Sequence, residues 1–407
     1  MQDKSYDIVI IGGGMVGATM AVALASLPLK IAIIEAFPFR SNNQPSYDAR
    51  SIALAYGSKR IFESLGVWNS IQDEACPIKN IHVSSQGQIG ATRLNAEEEG
   101  LDALGYVIEN RVIGNGLLQK IESLKNIELI CPAKLVDLTT TQDNTHIVIE
   151  KENERLSLNS KLIIGADGAN SKVRELLNIT ANKKEYQQTA IISNVTPGKA
   201  HQNIAYERFT PEGPIAVLPM TKKRCSLVFT VDSDSAEETL SLNDAEFITA
   251  LENRFGFRTG GFTKTSKRFA YPLSLMQIKQ HYTDRAVIIG NAAHALHPIA
   301  GQGFNLGIRD VSALAEVIAD AIKLNKDFGT TDVLKNYEET RKKDQSNVAF
   351  ITDSLATVFS NKLFPLTKMR SKGLILSDVM PPVKHAMAKH AMGLSGKLPR
   401  LSRGLSL

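Results

Sequence analysis

The sequence is short of the residues that staple or anchor a protein. Among 407 residues there are 3 cysteines, Cys76, Cys131 and Cys225, widely separated and without C-x-x-C spacing. That excludes a disulfide framework and a thiolate metal knuckle, and an odd set of scattered thiols predicts a reduced, cytoplasmic protein. Only 1 tryptophan, Trp68, is present. No apolar run approaches the roughly 18 residues of a membrane span. The opening Met1-Gln2-Asp3-Lys4-Ser5-Tyr6-Asp7 is too polar to serve as a secretion signal and leads directly into a strand. No internal repeat or low-complexity tract is visible. Lys and Arg number 47 against 42 Asp and Glu, a net charge of +5, which offers no reason to expect a nucleic-acid partner. The imbalance is local. Residues 354–407 hold nine Lys/Arg and one acid, Asp378, so that segment carries +8 and the other residues −3.

What is present is an ordinary folded composition, 43% hydrophobic with 28 glycines, and enough length for two to three domains. The sharpest pattern lies at the start. Residues 6–11 read as a buried parallel strand, followed by Gly12-Gly13-Gly14-Met15-Val16-Gly17, an alanine-rich helix, and a second strand over 30–34 that ends at Glu35. This is a β-α-β unit with G-x-G-x-x-G at its turn. Gly12 permits the tight turn, Gly14 lets backbone approach a pyrophosphate, and Gly17 lets helix and strand pack closely. The helix N-terminus attracts the phosphates, and Glu35 accepts from ribose hydroxyls. The pattern alone does not separate FAD from NAD, and a glycine-rich turn without ligand is its bland alternative.

Further along, a loop carries Asp48-Ala49-Arg50-Ser51-Ile52-Ala53-Leu54, where a lone arginine is by itself an ordinary surface residue. Residues 81–85 and 88–94 read as a hairpin about Gln86-Gly87. Asn110-Arg111 opens a helix over 112–123. Strands at 146–150, 155–158 and 162–164 run into Gly165-Ala166-Asp167-Gly168. Short strand-like runs at 190–195, 204–209, 215–220, 224–231 and 267–271, with one helix near 243–254, predict an antiparallel sheet inserted into the first domain. A buried strand at 286–289 then leads into Gly290-Asn291-Ala292-Ala293-His294 and His297-Pro298-Ile299-Ala300-Gly301-Gln302-Gly303-Phe304-Asn305. Helices are expected from about 304 to 324 and from 333 to 360. His294 and His297 lack nearby acids or cysteines, so no metal is expected there.

The N-terminal glycine turn with its acid, the G-A-D-G near residue 165 and the G-N-A-A-H…P…G-Q-G segment together resemble the class A FAD-dependent aromatic monooxygenases. The stretches 48–54 and 297–310 are most similar to the ubiquinone-biosynthesis hydroxylases of the 2-polyprenyl-6-methoxyphenol branch. The similarity covers nearly the whole sequence, including Glu207-Arg208-Phe209-Thr210, and is weakest after Pro381. The implied fold is α/β. A Rossmann-like FAD-binding domain (1–75, 111–185 and 286–350) holds an antiparallel-sheet substrate domain (76–110 and 186–285), and a basic helical tail follows (351–407). Implied for FAD are Gly12, Gly14, Gly17 and Glu35 at the ADP half, then Arg50, Arg111 and Asp167. Pro298, Gly301, Gln302, Gly303 and Asn305 would line the isoalloxazine. Asn291 stands where most of the superfamily has aspartate, a departure shared with the methoxyphenol branch.

The implied reaction is hydroxylation of a 2-polyprenyl-6-methoxyphenol to its 1,4-benzoquinol, with NAD(P)H as transient reductant and O2, through a flavin hydroperoxide. No catalytic acid or base is identified. Tyr206, Arg208 and His294 are candidates for orienting the phenol, with packing as the plainer role for each. A sibling hydroxylase or epoxidase on another aromatic compound, or a non-catalytic FAD-binding assembly subunit, are the competing readings. A halogenase, which needs W-x-W-x-I-P, is excluded by the single tryptophan. The basic tail, with Leu363, Phe364, Leu366, Met369, Leu374, Ile375 and Leu376 among its cations, suits three roles: a peripheral contact with an anionic inner-membrane surface, a docking face for ubiquinone-biosynthesis proteins, or a cap on the FAD domain.

Overall fold

The computed structural model describes residues 4–38, 50–360 and 373–407. Asp48 and Ala49, and the tail residues Lys362, Leu363, Phe364, Leu366, Lys368, Met369, Arg370 and Lys372, lie outside them. The fold is α/β, as the sequence predicts.

Its first layer is a sheet with a parallel centre. Lys4–Ile11 lies between Ile31–Ile34 and Glu154–Gly165, with Ile127–Ile130 and Ala286–Ile288 outside them, all parallel. Buried on both faces, the inner strands are continuous runs of Ile, Val and Ala. Glu154–Gly165 is one strand of 12 residues, where the sequence suggests two short ones. Its first half pairs antiparallel with Thr145–Lys151, and its second half enters the parallel centre. Helices Met15–Leu24, Asn110–Glu122 and Gln302–Lys323 pack one face of this sheet around Ile8, Ile10, Leu117 and Leu314.

The second layer is a nine-stranded sheet, in order His294–Ala295, Phe269–Ile278, Ala181–Pro197, Cys225–Asp232, Gly213–Pro219, Ile204–Thr210, Asn80–Ser85 and Ala91–Asn95, with Phe262–Thr265 also on Ala181–Pro197. It is not wholly antiparallel as expected, because Asn80–Ser85 joins Ile204–Thr210 in parallel. That pairing recruits a hairpin from far upstream in the sequence. One face is covered by the helix Asp244–Phe255, whose start is fixed by a capping box between Asn243 and Glu246. Ile191, Leu227, Phe229, Phe247 and Phe255 fill that interface. The other face looks back toward the first layer. A three-stranded sheet, Ser51–Ala55, Gly105–Glu109 and Cys76–Ile78, bridges the two.

Among the described residues, the C-terminal part forms a cap. Ala388 and Met392 are buried against Leu94 and Leu104, the Gly57 amide donates to the Met392 carbonyl at 2.8 Å, and Leu401 joins the main core. Its charges are partly paired: Lys384 with Glu98, His385 with Glu99 and Arg400 with Asp320.

Candidate active site

Three segments far apart in sequence meet at one place. The Gly12–Gly17 turn closes the end of Lys4–Ile11, with Gly12 at φ +101°. A Cβ at Gly12 would stand 2.5 Å from the Ala166 carbonyl oxygen, and one at Gly17 would overlap the Gly12 carbonyl. The first and second motifs are therefore in direct backbone contact. A Cβ on Gly290 would meet Val16 at 3.0 Å, and one on Gly307 would meet Val16 and the Gly290 Cα at 3.2 Å. Val16 of the first motif thus seats both ends of the third.

Two helices that begin at this space, Met15–Leu24 and Gln302–Lys323, have no side-chain cap at their N-termini. Gly14 is the N-cap of Met15–Leu24, with extended backbone, no side-chain cap and no acid in the first turn. Gly301, left-handed at φ +60°, caps Gln302–Lys323 in the same uncapped way. Unsatisfied first-turn N–H groups without a resident carboxylate suit phosphate or another anion. At Gly303 a Cβ would meet nothing within 4 Å, so the backbone there borders open space.

Glu35 bridges this turn to the second strand. Its carboxylate accepts from the Gly13 amide at 2.7 Å and the Phe37 amide at 2.8 Å. Burial pushes this carboxyl up, against the lowering effect of those amides. Each oxygen keeps acceptor capacity for a hydroxyl. Asp167 uses Oδ2 to accept from the Lys172 and Val173 amides at 2.7 and 3.1 Å. Its buried Oδ1 has no hydrogen-bond partner within the protein, and burial pushes this carboxyl up too. An orphan acceptor buried beside an anion-binding turn calls for a ligand with donors. A dinucleotide with ribose hydroxyls and a flavin ring meets that requirement, so the residues present fit FAD.

The other expected ligands have the following surroundings. Asn305 is buried with its amide fully engaged: Oδ1 accepts from the Ala55 amide at 2.8 Å, and Nδ2 donates to the Ala53 and Gly301 carbonyls at 2.8 and 2.9 Å. It ties the strand Ser51–Ala55 to the loop. Arg111 lies at the start of Asn110–Glu122, ion-paired with Glu109 at 2.5 Å and Glu74 at 2.8 Å. Glu109 also holds Arg224 at 2.8 Å. The Arg50 guanidinium lies 4.9 Å from the centroid of the Tyr271 ring on the second sheet, and its carbonyl accepts from the Asn110 amide. Asn291 is exposed on the turn after Ala286–Ile288. Gln302 is buried and donates to the Ala391 carbonyl at 3.3 Å, which fixes the C-terminal cap to the loop. Pro298 begins the 3-10 turn Ile299–Gly301, and its carbonyl accepts from the Gly301 amide.

None of the three candidates for orienting the phenol faces this space. Tyr206 packs edge-on against Phe255, and Arg208 donates to the Arg254 carbonyl; both lie on the helix-covered face of the second sheet. His294 is buried with Nε2 2.5 Å from Asp310. Asp310 also accepts from Arg341 at 2.8 Å and Gln345 at 2.9 Å. Burial pushes the Asp310 carboxyl up, but His294 and Arg341 outweigh it and hold it well below the ordinary carboxylate range. This cluster, absent from the sequence expectations, anchors the loop from beneath. Its only sequence trace is Asp310 eight residues into a helix that is otherwise largely apolar on its inner face. Among the described residues no group of His, Cys, Asp and Glu could hold a metal ion.

The fold and the site define an FAD-dependent monooxygenase. Residues 5–349 match the FAD binding domain family, and the protein belongs to it. Ubiquinone hydroxylase UbiL of Rhodospirillum rubrum is 35% identical over 100% of this sequence and 94% of its own length. The 3-demethoxyubiquinol 3-hydroxylase of Escherichia coli is 31% identical over 97% and 100%. Among solved structures, p-nitrophenol 4-monooxygenase PnpA from Pseudomonas putida superposes with a TM-score of 0.80 at 17% identity, covering 97% of this protein and 99% of that one. The protein is a flavoprotein hydroxylase of the ubiquinone-biosynthesis family, with FAD as cofactor. Among the described residues no helix is long and apolar enough to cross a membrane.

Proposed function

We propose that this enzyme hydroxylates a 2-polyprenyl-6-methoxyphenol at the carbon para to its hydroxyl, giving the 1,4-benzoquinol. The observation that carries the reading is the convergence of the three motifs beneath an apolar sheet face. Phe209 of that face packs against Ile299 of the glycine-rich loop, with Val83 and Leu355 beside them. Bound FAD, once reduced, supplies activated oxygen for insertion into an electron-rich ring. Gly12, Gly14, Gly17 and Glu35 hold its ADP half, Arg50, Arg111 and Asp167 its middle, and Asn291, Pro298, Gly301, Gln302 and Gly303 its ring end. The open N-terminus of Gln302–Lys323 favours negative charge on the reduced cofactor. The apolar face excludes water and receives the prenyl group. The phenol oxygen directs electrophilic attack to the para carbon if that carbon faces the loop.

A polyprenyl substrate resides in a bilayer, so the enzyme meets it at an inner-membrane surface or on a partner of the same biosynthesis. Ile375, Leu376, Val379, Met380 and Val383 are exposed on the C-terminal cap, Val379 at 68%, and the cationic tail segment adjoins them in sequence. Peripheral docking through this region to anionic lipid suits both features. Loss of the gene in its host is expected to accumulate the methoxyphenol. Accumulation of a later, methylated demethoxyquinol overturns this step and favours the alternative that the 31% identity to a 3-demethoxyubiquinol 3-hydroxylase supports.

A further inference from the structure

The strand Ile204–Thr210 divides its side chains between two surroundings. Tyr206 and Arg208 belong to the helix-covered face, as their partners Phe255 and Arg254 establish. Ala205 and Phe209 point the other way. Ala205 clusters with Ile78, Val107 and Met220, and Phe209 with Ile299 of the glycine-rich loop. Successive residues of a strand face opposite sides of its sheet, so Glu207 stands on the loop face between them. Its cross-strand neighbours are Val83 and Ala216. The carboxyl is enclosed deep in the fold, yet the residue keeps accessible surface. On the loop face, Glu207 therefore borders accessible space.

Among the described residues, no donor and no cation meets this carboxyl. The titratable groups on neighbouring elements are turned elsewhere. His82 pairs with Arg258 on the helix-covered side. Glu109 is held by Arg111 and Arg224, and Asp353 by Lys184 and Tyr186. His297 lies against the Tyr186 ring, and Arg50 over Tyr271. Burial pushes Glu207 up to about 8, so at neutral pH it is chiefly a neutral carboxylic acid, able to donate and to accept.

We propose that Glu207 is a substrate-orienting residue, whose carboxylic acid hydrogen-bonds the hydroxyl or methoxy oxygen of the aromatic ring and so selects the carbon that faces the glycine-rich loop. This rests on the phenol reading of the site. An apolar face holds a prenyl group but leaves its ring free to turn, and a polar group on that face sets the orientation. The Glu207 carboxyl borders accessible space without a partner in the described residues, and a phenol or methoxy oxygen can hydrogen-bond it there.

The test compares FAD-loaded wild type, Glu207→Gln and Glu207→Leu, using a 2-methoxyphenol with a short prenyl group at carbon 6. Affinity is read from the change in flavin absorbance on titration, and coupling from product formed per NAD(P)H consumed. FAD content and melting temperature report integrity. Glu207→Leu is expected to keep its FAD while losing about tenfold in affinity, and most of its coupling. Glu207→Gln, which still donates and accepts, should stay within about threefold of wild type. Wild-type coupling should decline above pH about 8 as the carboxyl ionises, and the Gln variant should not share that decline. Wild-type behaviour of the Leu variant overturns the inference, as does a Gln variant that fails or keeps the alkaline decline. If Glu207→Leu does not fold, the pH profile of Glu207→Gln decides alone. A wild type that neither binds nor oxidises the probe overturns the phenol reading itself, and the inference with it.

Discussion

Asp310 holds three residues from two other segments at one fully buried point: His294 from the loop, and Arg341 and Gln345 from the long helix Thr331–Ser360. Replacing it by asparagine removes one of the two carboxylates that hold the buried Arg341, leaving only Asp344 at 2.7 Å, and breaks the shared contact with His294 and Gln345. The expected cost is about 3–5 kcal/mol in denaturant unfolding, and a loss below about 1 kcal/mol would show that the cluster does not anchor the loop. Because the folded carboxyl lies below its unfolded value, the stability it carries is complete above pH about 4 and is lost only as pH falls through the lower folded value. His297 works at a different pH. Burial lowers it from 6.5 to about 4, so the unfolded protein takes up its proton first. Its contribution is complete above pH 6.5 and declines as pH falls toward 4. Unfolding free energies measured at pH 7 and pH 5 should differ less in His297→Asn than in wild type, and an unchanged difference would contradict this.

At the scale of elements, two glycines in the same site are expected to behave differently. Gly12 has a left-handed φ and a backbone oxygen where a Cβ would go, so Gly12→Ala should disturb the nucleotide turn itself and lower the melting temperature even without FAD. Gly303 borders open space. Gly303→Val should therefore leave the apo-protein's melting temperature unchanged while weakening FAD binding by about tenfold or more, read by flavin fluorescence titration. A Gly303→Val protein with wild-type FAD affinity would remove the cofactor from that side of the loop.

Elements of this kind are legible in the sequence because their signals are local. The first β-α-β unit, the helix Gln302–Lys323 expected from 304 to 324, and Thr331–Ser360 expected from 333 to 360 all follow from apolar periodicity and glycine punctuation. The single long strand Glu154–Gly165 reads as two, because its polar Asn159-Ser160-Lys161 interrupts the apolar run while the sheet pairing continues through it. The roles of individual residues are less legible. Period two places Tyr206 and Arg208 on one face and Glu207 on the other, but which face meets the loop depends on the helix Asp244–Phe255 covering the first. The tethering by Asn305 depends on Ala53 and Ala55, some 250 residues away in sequence.

Across the whole molecule, the C-terminal region combines a packed cap with an exposed apolar stripe. Deleting it after Pro381 would strip Ala388, Met392 and Leu401 from the core, so membrane docking is better tested by surface substitutions. Leu376→Ser with Val379→Ser, or neutralisation of Lys362, Lys368, Arg370 and Lys372, should weaken co-sedimentation with anionic vesicles, by about 1 kcal/mol for each engaged cation. Binding that is insensitive to salt and to both sets of changes would contradict docking through this region. That the converging motifs and the apolar face form a hydroxylase site for a prenylated methoxyphenol is tested most directly by product analysis. Purified protein with FAD, NAD(P)H, heavy-isotope dioxygen and a 2-prenyl-6-methoxyphenol bearing a short prenyl group should yield the 1,4-benzoquinol carrying one labelled oxygen at the para carbon. NAD(P)H consumption without labelled product, or label at another ring carbon, would contradict it.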